Sequence, residues 1–265
     1  MKYILVTGAG GGMGLATTKL LCEQGYTVFA LDKNPPLDIK NAVPLTADIT
    51  SEESIIEAYE KTLETTDNLF GIIHFAGIYM LDSLVEIPSD EYDRIFDVNV
   101  RGAYLINKTF MPLLKSGSRI IITTSELATL DPLPFTGIYA ITKAALDKYA
   151  FSLCMELQLH GIVVSVIRAG AVGTPMIGAS TDALTQFSEK TKLYSFGAKR
   201  FREIVDRVET RQITPNKIAK KILQILHSNS TRFAYSINRN PMLCLLTILP
   251  AKIQLYIIGR ILRSK

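Results

Sequence analysis

The chain has 265 residues, 48% of them apolar, and a formal net charge of +4. That length and composition support one sizeable hydrophobic core and exclude both a disordered chain and two large domains. The charge is uneven: all 25 acids lie at or before Glu209 and ten of the 29 Lys and Arg lie after it, so residues 1–209 carry a net −6 and the remainder is purely basic. Such an asymmetry marks either a solvated basic face or a surface for anionic lipid or an acidic partner.

In chain order, residues 2–7 form a short apolar run ending at glycine, which predicts a buried parallel strand and no secretory leader. Gly14 to Gln24 follows helical periodicity, with Gly25 as its C-terminal cap. A second strand is expected over residues 27–32, and Thr50 with Glu53 forms a capping box before a helix over 54–63. Residues 71–77 predict a strand, 90–115 a helix, 119–125 a β-branched strand, 139–159 a long helix and 163–170 another strand. Residues 174–211 are more irregular and polar, with scattered large apolar groups. Thr214-Pro215 opens a further helix, and residues 232–237 read as the last strand. From Ala251 the tail is amphipathic, with Lys252, Tyr256, Gly259, Arg260 and Arg263 on one helical face. The segment Met242–Leu262 is very apolar, but its Pro250, Lys252, Gln254 and Arg260 make a membrane span a poor reading.

Strands alternating with helices at this spacing predict an α/β fold, a doubly wound parallel sheet of the Rossmann type. One nucleotide-binding catalytic domain is expected over residues 1–240, with an apolar, basic tail over 241–265. Cys22, Cys154 and Cys244 are far apart and odd in number, which argues for free thiols in a reducing compartment, the cytoplasm. The three histidines have no ligand spacing, so no metal site is expected, and no nucleic-acid partner either.

Thr7 to Gly14 joins the first strand to the first helix. Glycines at 8, 12 and 14 allow a tight turn and close approach of a pyrophosphate, and the helix N-terminus offers free amides. Asp32 ends the second strand, 18 residues beyond Gly14. A carboxylate there can accept hydrogen bonds from ribose hydroxyls and would repel a 2′-phosphate, so NAD is expected over NADP, although Lys33 softens that rejection.

The glycine pattern resembles the short-chain dehydrogenase/reductase family over about residues 2–240, closest to its hydroxysteroid and retinol dehydrogenase members. The same order of motifs recurs: the loop from Thr7 to Gly14, Asp32, Asp48, Ala76-Gly77, Asn99, Ser125, Tyr139 through Lys143, and the run from Ala169 to Thr174. The resemblance implies that Gly8, Gly12, Met13 and Gly14 hold the cofactor's phosphates. It further implies that Asp48 and Ile49 flank its adenine, that Ala76 and Gly77 lie beside it, and that Val172 and Thr174 help hold the nicotinamide end. Asn99, Ser125, Tyr139 and Lys143 would form a catalytic tetrad, with Tyr139 and Lys143 also touching the cofactor. A homodimer or homotetramer built on the helices around Asn99 and Tyr139 is implied as well. Two positions depart from the family pattern: Phe75 stands where Asn is frequent, and Ala169 where Pro is usual.

These residue types suit hydride transfer, which makes or consumes a hydroxyl proton. Lys143 lies four residues after Tyr139 on the same helical face, where its ammonium is expected to lower the phenol's pKa. The resemblance implies that Ser125 steadies a developing alkoxide and that Asn99 binds a water linking Lys143 to solvent. The resemblance implies a substrate lid near 174–211, and Leu127, Leu130, Leu133, Phe135, Met176, Leu184, Phe187, Leu193, Tyr194, Phe196 and Phe201 predict a lipophilic alcohol or ketone substrate, hydroxysteroid-like, or else a lid that simply packs on the body. A 3-oxoacyl-type reductase and a silent NAD(H)-sensing protein are the competing readings. The tail helix suits peripheral contact with a membrane, or packing at the pocket mouth or a subunit contact.

Overall fold

The computed structural model describes residues 2–208 and 212–263, the side chains of 177–182 and 206–208 apart. The strands are β1 (Tyr3–Thr7), β2 (Thr27–Asp32), β3 (Ala42–Thr46), β4 (Leu69–His74), β5 (Leu114–Ser125), β6 (Val163–Ala169) and β7 (Ala234–Ile237). They form one seven-stranded sheet in the order β3-β2-β1-β4-β5-β6-β7, with every pairing parallel. The chain winds outward from β1 to β3, then crosses to β4 on the other side of β1. That reversal leaves a crevice at the C-terminal ends of β1 and β4, where ligands bind in open α/β sheets.

The helices are α1 (Gly12–Glu23), α2 (Glu52–Leu63), α3 (Ser89–Phe96), α4 (Gly102–Phe110), α5 (Gly137–Leu157), α6 (Pro175–Lys190), α7 (Ser195–Val208), α8 (Pro215–His227), α9 (Pro241–Ile248) and α10 (Ala251–Leu262). Two apolar layers sandwich the sheet, because successive strand residues point to opposite faces. Leu5, Ile72, Ile120 and Ile122 pack with Leu146 and Ala150 of α5 on one face. Ile4, Val6, Ile73 and Ile121 pack with Leu21 of α1 and Ile218, Ile222 and Ile225 of α8 on the other.

Several boundaries differ from the sequence reading. β3 was not anticipated, because Pro44 interrupts its pattern; it forms the sheet's edge, where a missing donor is tolerated. The helix expected over 90–115 is α3, one turn of π-helix at Asp97–Arg101, then α4, and it gives way to β5 at Leu114. The cap of α2 is Ser51, whose hydroxyl accepts the Ser54 amide, and not Thr50. Thr50 instead donates through its amide and its hydroxyl to the Asp48 carboxylate. The stretch read as irregular holds α6 and α7; Thr174-Pro175 starts the first. Ala198, Phe201 and Val205 recur at helical spacing in the second, within a run of charges that masked the period. Residues 209–211 of the expected lid lie outside the described residues. In the tail, Asn240 caps α9 by accepting the Met242 and Leu243 amides, and α10 begins at Ala251 as the amphipathic pattern requires. No described helix is long and apolar enough to cross a membrane.

Candidate active site

The glycine loop connects β1 to α1. Gly8 has φ +70°, and a Cβ there would lie 2.6 Å from the Ala76 nitrogen, so the backbone after β4 can close against the loop only with glycine at this position. Gly12 has φ +49° and sits against the Thr174 methyl, which leaves room for a Cβ only at 3.0 Å. Gly14 packs on the Gly8 carbonyl, and Met13 lies in the first turn of α1, where its carbonyl accepts the Thr17 hydroxyl. The structure thus brings Gly8, Gly12, Gly14, Ala76 and Thr174 together from three segments. The N-cap of α1 is Gly11, without a side-chain cap, and its first turn carries no acid. Its amides are therefore left for an anion. Among the described residues this loop fits a dinucleotide phosphate.

Asp32 closes β2 beside the loop. One carboxylate oxygen accepts the Gly10 amide at 2.9 Å and the other the Asn34 amide at 3.0 Å. A carboxylate has about four acceptor positions, so two remain for ribose hydroxyls. Lys33, which was expected to soften the rejection of a phosphate, pairs with Asp48 at 2.8 Å. Thr50 and Lys33 hydrogen-bond to the Asp48 carboxyl and hold it below the usual carboxylate range, although burial pushes the other way as the largest single influence. Ile49 is buried, and its side chain lies against Gly102 at the start of α4.

Val172 is buried, bridges to Ile213, and leads into Gly173, whose amide donates to the Ile213 carbonyl. The turn at Ala169-Gly170 does not depend on the proline that the family favours. The Gly170 amide donates to the Ile237 carbonyl at 2.9 Å, and the Asn238 side chain donates to the Ala171 carbonyl at 2.9 Å. Phe75 keeps the register of its neighbours, its amide donating to the Thr7 carbonyl.

The four expected reacting groups meet where β4, β5, the π turn and α5 converge. Ser125 ends β5, and Tyr139 and Lys143 lie in the first two turns of α5; all three are buried. The Lys143 ammonium lies 5.6 Å from the Tyr139 ring centre and donates to the Thr123 carbonyl at 3.5 Å. A Cβ on Gly77 would meet Asn99 Oδ1 at 3.1 Å and Lys143 Nζ at 3.4 Å, so glycine admits both side chains. Asn99 sits in the π turn with 1% exposure. Its Oδ1 accepts the Ile78 amide, and its Nδ2 donates to the Ile78 carbonyl and to the Thr142 hydroxyl. Both amide hydrogens are thereby committed, and the side chain acts as a strut between the π turn and the segment after β4.

Burial pushes the Tyr139 phenol up to about 12, with the Ser125 hydrogen bond opposing it. Burial also pulls Lys143 down to about 8. The expected lowering of the phenol by Lys143 is thus overridden here: desolvation disfavours both charged forms, phenolate and ammonium alike.

Two residues near the reacting groups escaped the sequence reading. Tyr79 packs its ring 4.8 Å from that of Tyr139 and reaches the lid cluster of Leu184, Phe187 and Phe201 on its other side. Nothing in a single tyrosine two residues past Gly77 signals this. Thr142 holds Asn99, and its place in the run from Tyr139 to Lys143 was the available hint. Of the apolar residues proposed for a substrate, Leu184, Phe187 and Phe201 are buried and pack the lid on Phe135. Phe135 adopts φ +69°, a conformation rare for an aromatic residue, at the centre of that cluster. Leu193, Tyr194 and Phe196 instead line a cavity of about 560 Å³ with Leu84 and Leu262.

A family model described as short chain dehydrogenase matches residues 2–185. The 3-amino-tetrahydro-pyrrolizinone reductase of Xenorhabdus hominickii is 31% identical over 242 residues, covering 84% of this chain and 82% of that one. Estradiol 17-beta-dehydrogenase 2 of Mus musculus is 33% identical over 190 residues, covering 67% of this chain and 50% of the mouse protein. A short chain dehydrogenase family protein of Francisella tularensis, of known structure, superposes with a TM-score of 0.74 at 23% identity, covering 89% of this chain and 97% of that one. The glycine loop, the parallel sheet and the buried Tyr139–Lys143 helix therefore have the same explanation as the match in sequence: the chain belongs to the short chain dehydrogenase family, whose members are oxidoreductases that use a nicotinamide cofactor.

Proposed function

We propose that the protein is an NAD-linked oxidoreductase that interconverts a secondary alcohol and a ketone on a lipophilic, hydroxysteroid-like substrate. The observation that carries this reading is the convergence of Ser125, Tyr139, Lys143 and Asn99 at the strand ends beside the glycine loop. Gly8, Gly12, Met13, Gly14, Ala76 and Gly77 would cradle the cofactor, with Val172 and Thr174 at its nicotinamide end and Asp48 and Ile49 near its adenine. Bound nicotinamide supplies the hydride in reduction and takes it up in oxidation.

In reduction, the Tyr139 hydroxyl gives its proton to the carbonyl oxygen as the carbonyl carbon becomes tetrahedral. The high phenol pKa suits an acid that must stay protonated until that moment. The Ser125 hydroxyl donates to the same oxygen and stabilises its developing charge. Lys143 favours the resulting phenolate, and Asn99 holds the Ile78 backbone that faces them. In oxidation the proton moves the other way. Asp32, with two free acceptor positions and with Lys33 engaged elsewhere, supports NAD over NADP. Support for a lipophilic substrate comes from the aromatic surroundings of Tyr79 and Phe135, and from a relative named for estradiol.

The test is reduced-nicotinamide formation from NAD and from NADP over a panel of hydroxysteroids, retinol, long-chain 3-hydroxyacyl thioesters and simple secondary alcohols. NAD-dependent turnover of an apolar alcohol is expected. Tyr139→Phe is expected to lower it by about three orders of magnitude while leaving NADH affinity unchanged. Retained turnover in that variant removes Tyr139 from the chemistry. Tight NADH binding without turnover of any alcohol favours the sensing protein.

A further inference from the structure

The tail helices α9 and α10 have no fully buried residue between them. Met242, Leu245 and Ile248 recur every third residue along α9 and are 65–79% exposed, so an uncharged apolar stripe faces outward. On α10 the exposed positions include Lys252, Ile253, Leu255, Tyr256, Arg260 and Ile261, and exposed Arg263 follows directly after the helix. Both helices meet Asp131 of the body, and α10 also rests on α7, where the Arg200 side chain donates to the Ile261 carbonyl. The Thr247 hydroxyl of α9 accepts the Asp131 amide, and the Gln254 side chain of α10 donates to the Asp131 carboxylate. Their inner sides therefore turn toward Asp131 and their outer sides turn away from it.

Charge decides what fits this face. No acid follows Glu209 in the sequence, so the cations of α10 have no acidic neighbour on their own helices. A second copy seated here across a two-fold axis would set Lys252, Arg260 and Arg263 against themselves, a repulsive arrangement. A bilayer bearing anionic headgroups meets both features: it receives the apolar stripe among its acyl chains and the basic side chains among its phosphates. Neither helix is long enough to span, so the contact lies in the plane of the surface.

We propose that α9 and α10 dock the protein on an anionic lipid surface, α9 burying Met242, Leu245 and Ile248 and α10 pairing its cations with headgroups. This holds whether or not the proposed alcohol chemistry is correct, and its test reads no turnover. The full chain would be sedimented with vesicles of phosphatidylcholine alone and of phosphatidylcholine mixed with phosphatidylglycerol. Comparison variants are Met242→Ser/Leu245→Ser/Ile248→Ser and Lys252→Glu/Arg260→Glu/Arg263→Glu; all six positions are exposed, and circular dichroism reports that the fold is retained. Binding to the mixed vesicles is expected to exceed binding to phosphatidylcholine by about tenfold or more, to weaken at high salt, and to fall by at least about tenfold in each variant. Protein that stays in the supernatant with both vesicle types overturns the proposal, as does equal binding by the wild type and both variants. A concentration-dependent dimer that is lost in the serine variant, without vesicle binding, also overturns it and assigns the face to a second copy.

Discussion

Tyr139 and Lys143 illustrate how burial and charge compete at single residues. Desolvation keeps the phenol protonated and brings the lysine to about 8, so the lysine is the group that titrates near the working range. Ketone reduction needs a protonated phenol and a cationic Lys143 beside it. Its kcat/KM is therefore expected to be flat below pH 7 and to decline as pH rises through about 8, where Lys143 loses its proton. A profile without an inflection between about pH 7 and 9 would separate Lys143 from proton transfer. His74 at the end of β4 makes a second case. It is wholly buried against Asn107 Oδ1 at 2.9 Å, and Asn107 in turn donates to the Tyr149 hydroxyl. Burial pulls its pKa from 6.5 to about 4, with the Asn107 hydrogen bond pushing weakly upward. The folded histidine thus stays neutral where the unfolded one takes a proton, so stability is complete above pH 6.5 and is lost as pH falls toward 4. The loss is roughly 3 kcal/mol at the lower end. Urea unfolding at pH 7 and pH 5 should show about 2 kcal/mol of this loss for the wild type and a much smaller one for His74→Asn.

At the scale of elements, the position of the reacting helix rests on a polar clamp as well as on apolar packing. Arg168 of β6 makes a two-pronged pair with Asp147 of α5, at 2.9 and 2.7 Å, and the Thr124 hydroxyl of β5 donates to the same carboxylate. Asp147 is 8% exposed and Arg168 22%, so the pair is only partly open to water. Its hydrogen-bonded carboxylate raises the Arg168 pKa above its already high ordinary value. Asp147→Ala leaves a guanidinium without its partner between strand and helix, and is expected to cost about 3 kcal/mol in chemical denaturation. Loss of less than about 1 kcal/mol would mean that solvent already satisfies Arg168. The pair itself was not legible from sequence, because its members lie 21 positions apart, one on a helix and one on a strand. The helix was legible, since Gly137 to Leu157 has one continuous apolar pattern. The π turn at Asn99 was not: a shift from i+4 to i+5 bonding leaves the composition helical, and the residue's poor helix propensity was its only trace.

For the whole molecule, α4 and α5 expose apolar side chains that would suit the self-assembly implied by resemblance. Tyr104, Ile141, Phe151 and Met155 are 41–55% exposed there. The homodimer or homotetramer implied by resemblance would bury them, and Phe151→Glu with Met155→Glu is expected to shift the chain toward monomer in light scattering. An unchanged mass would place the contact elsewhere or show the chain to be monomeric. The basic tail forms a separate surface, so this variant and those of α9 and α10 report on different contacts.

What the sequence determined by itself was local or periodic. The alternation of strands and helices, the glycine loop ahead of α1, Asp32 at a strand end and the four-residue step from Tyr139 to Lys143 are written within a few residues each. Backbone stereochemistry and helical geometry convert those spacings into shape without further help. The tertiary structure decided whatever depends on what surrounds a group. It commits both Asn99 amide hydrogens, pairs Lys33 with Asp48, sets Tyr79 against Tyr139 and moves the phenol up instead of down. It also places α9 and α10 with their outer faces open, which an amphipathic pattern leaves undecided between packing and exposure. Desolvation and through-space pairing are sums over neighbours brought together from the whole chain, and no window of sequence contains them.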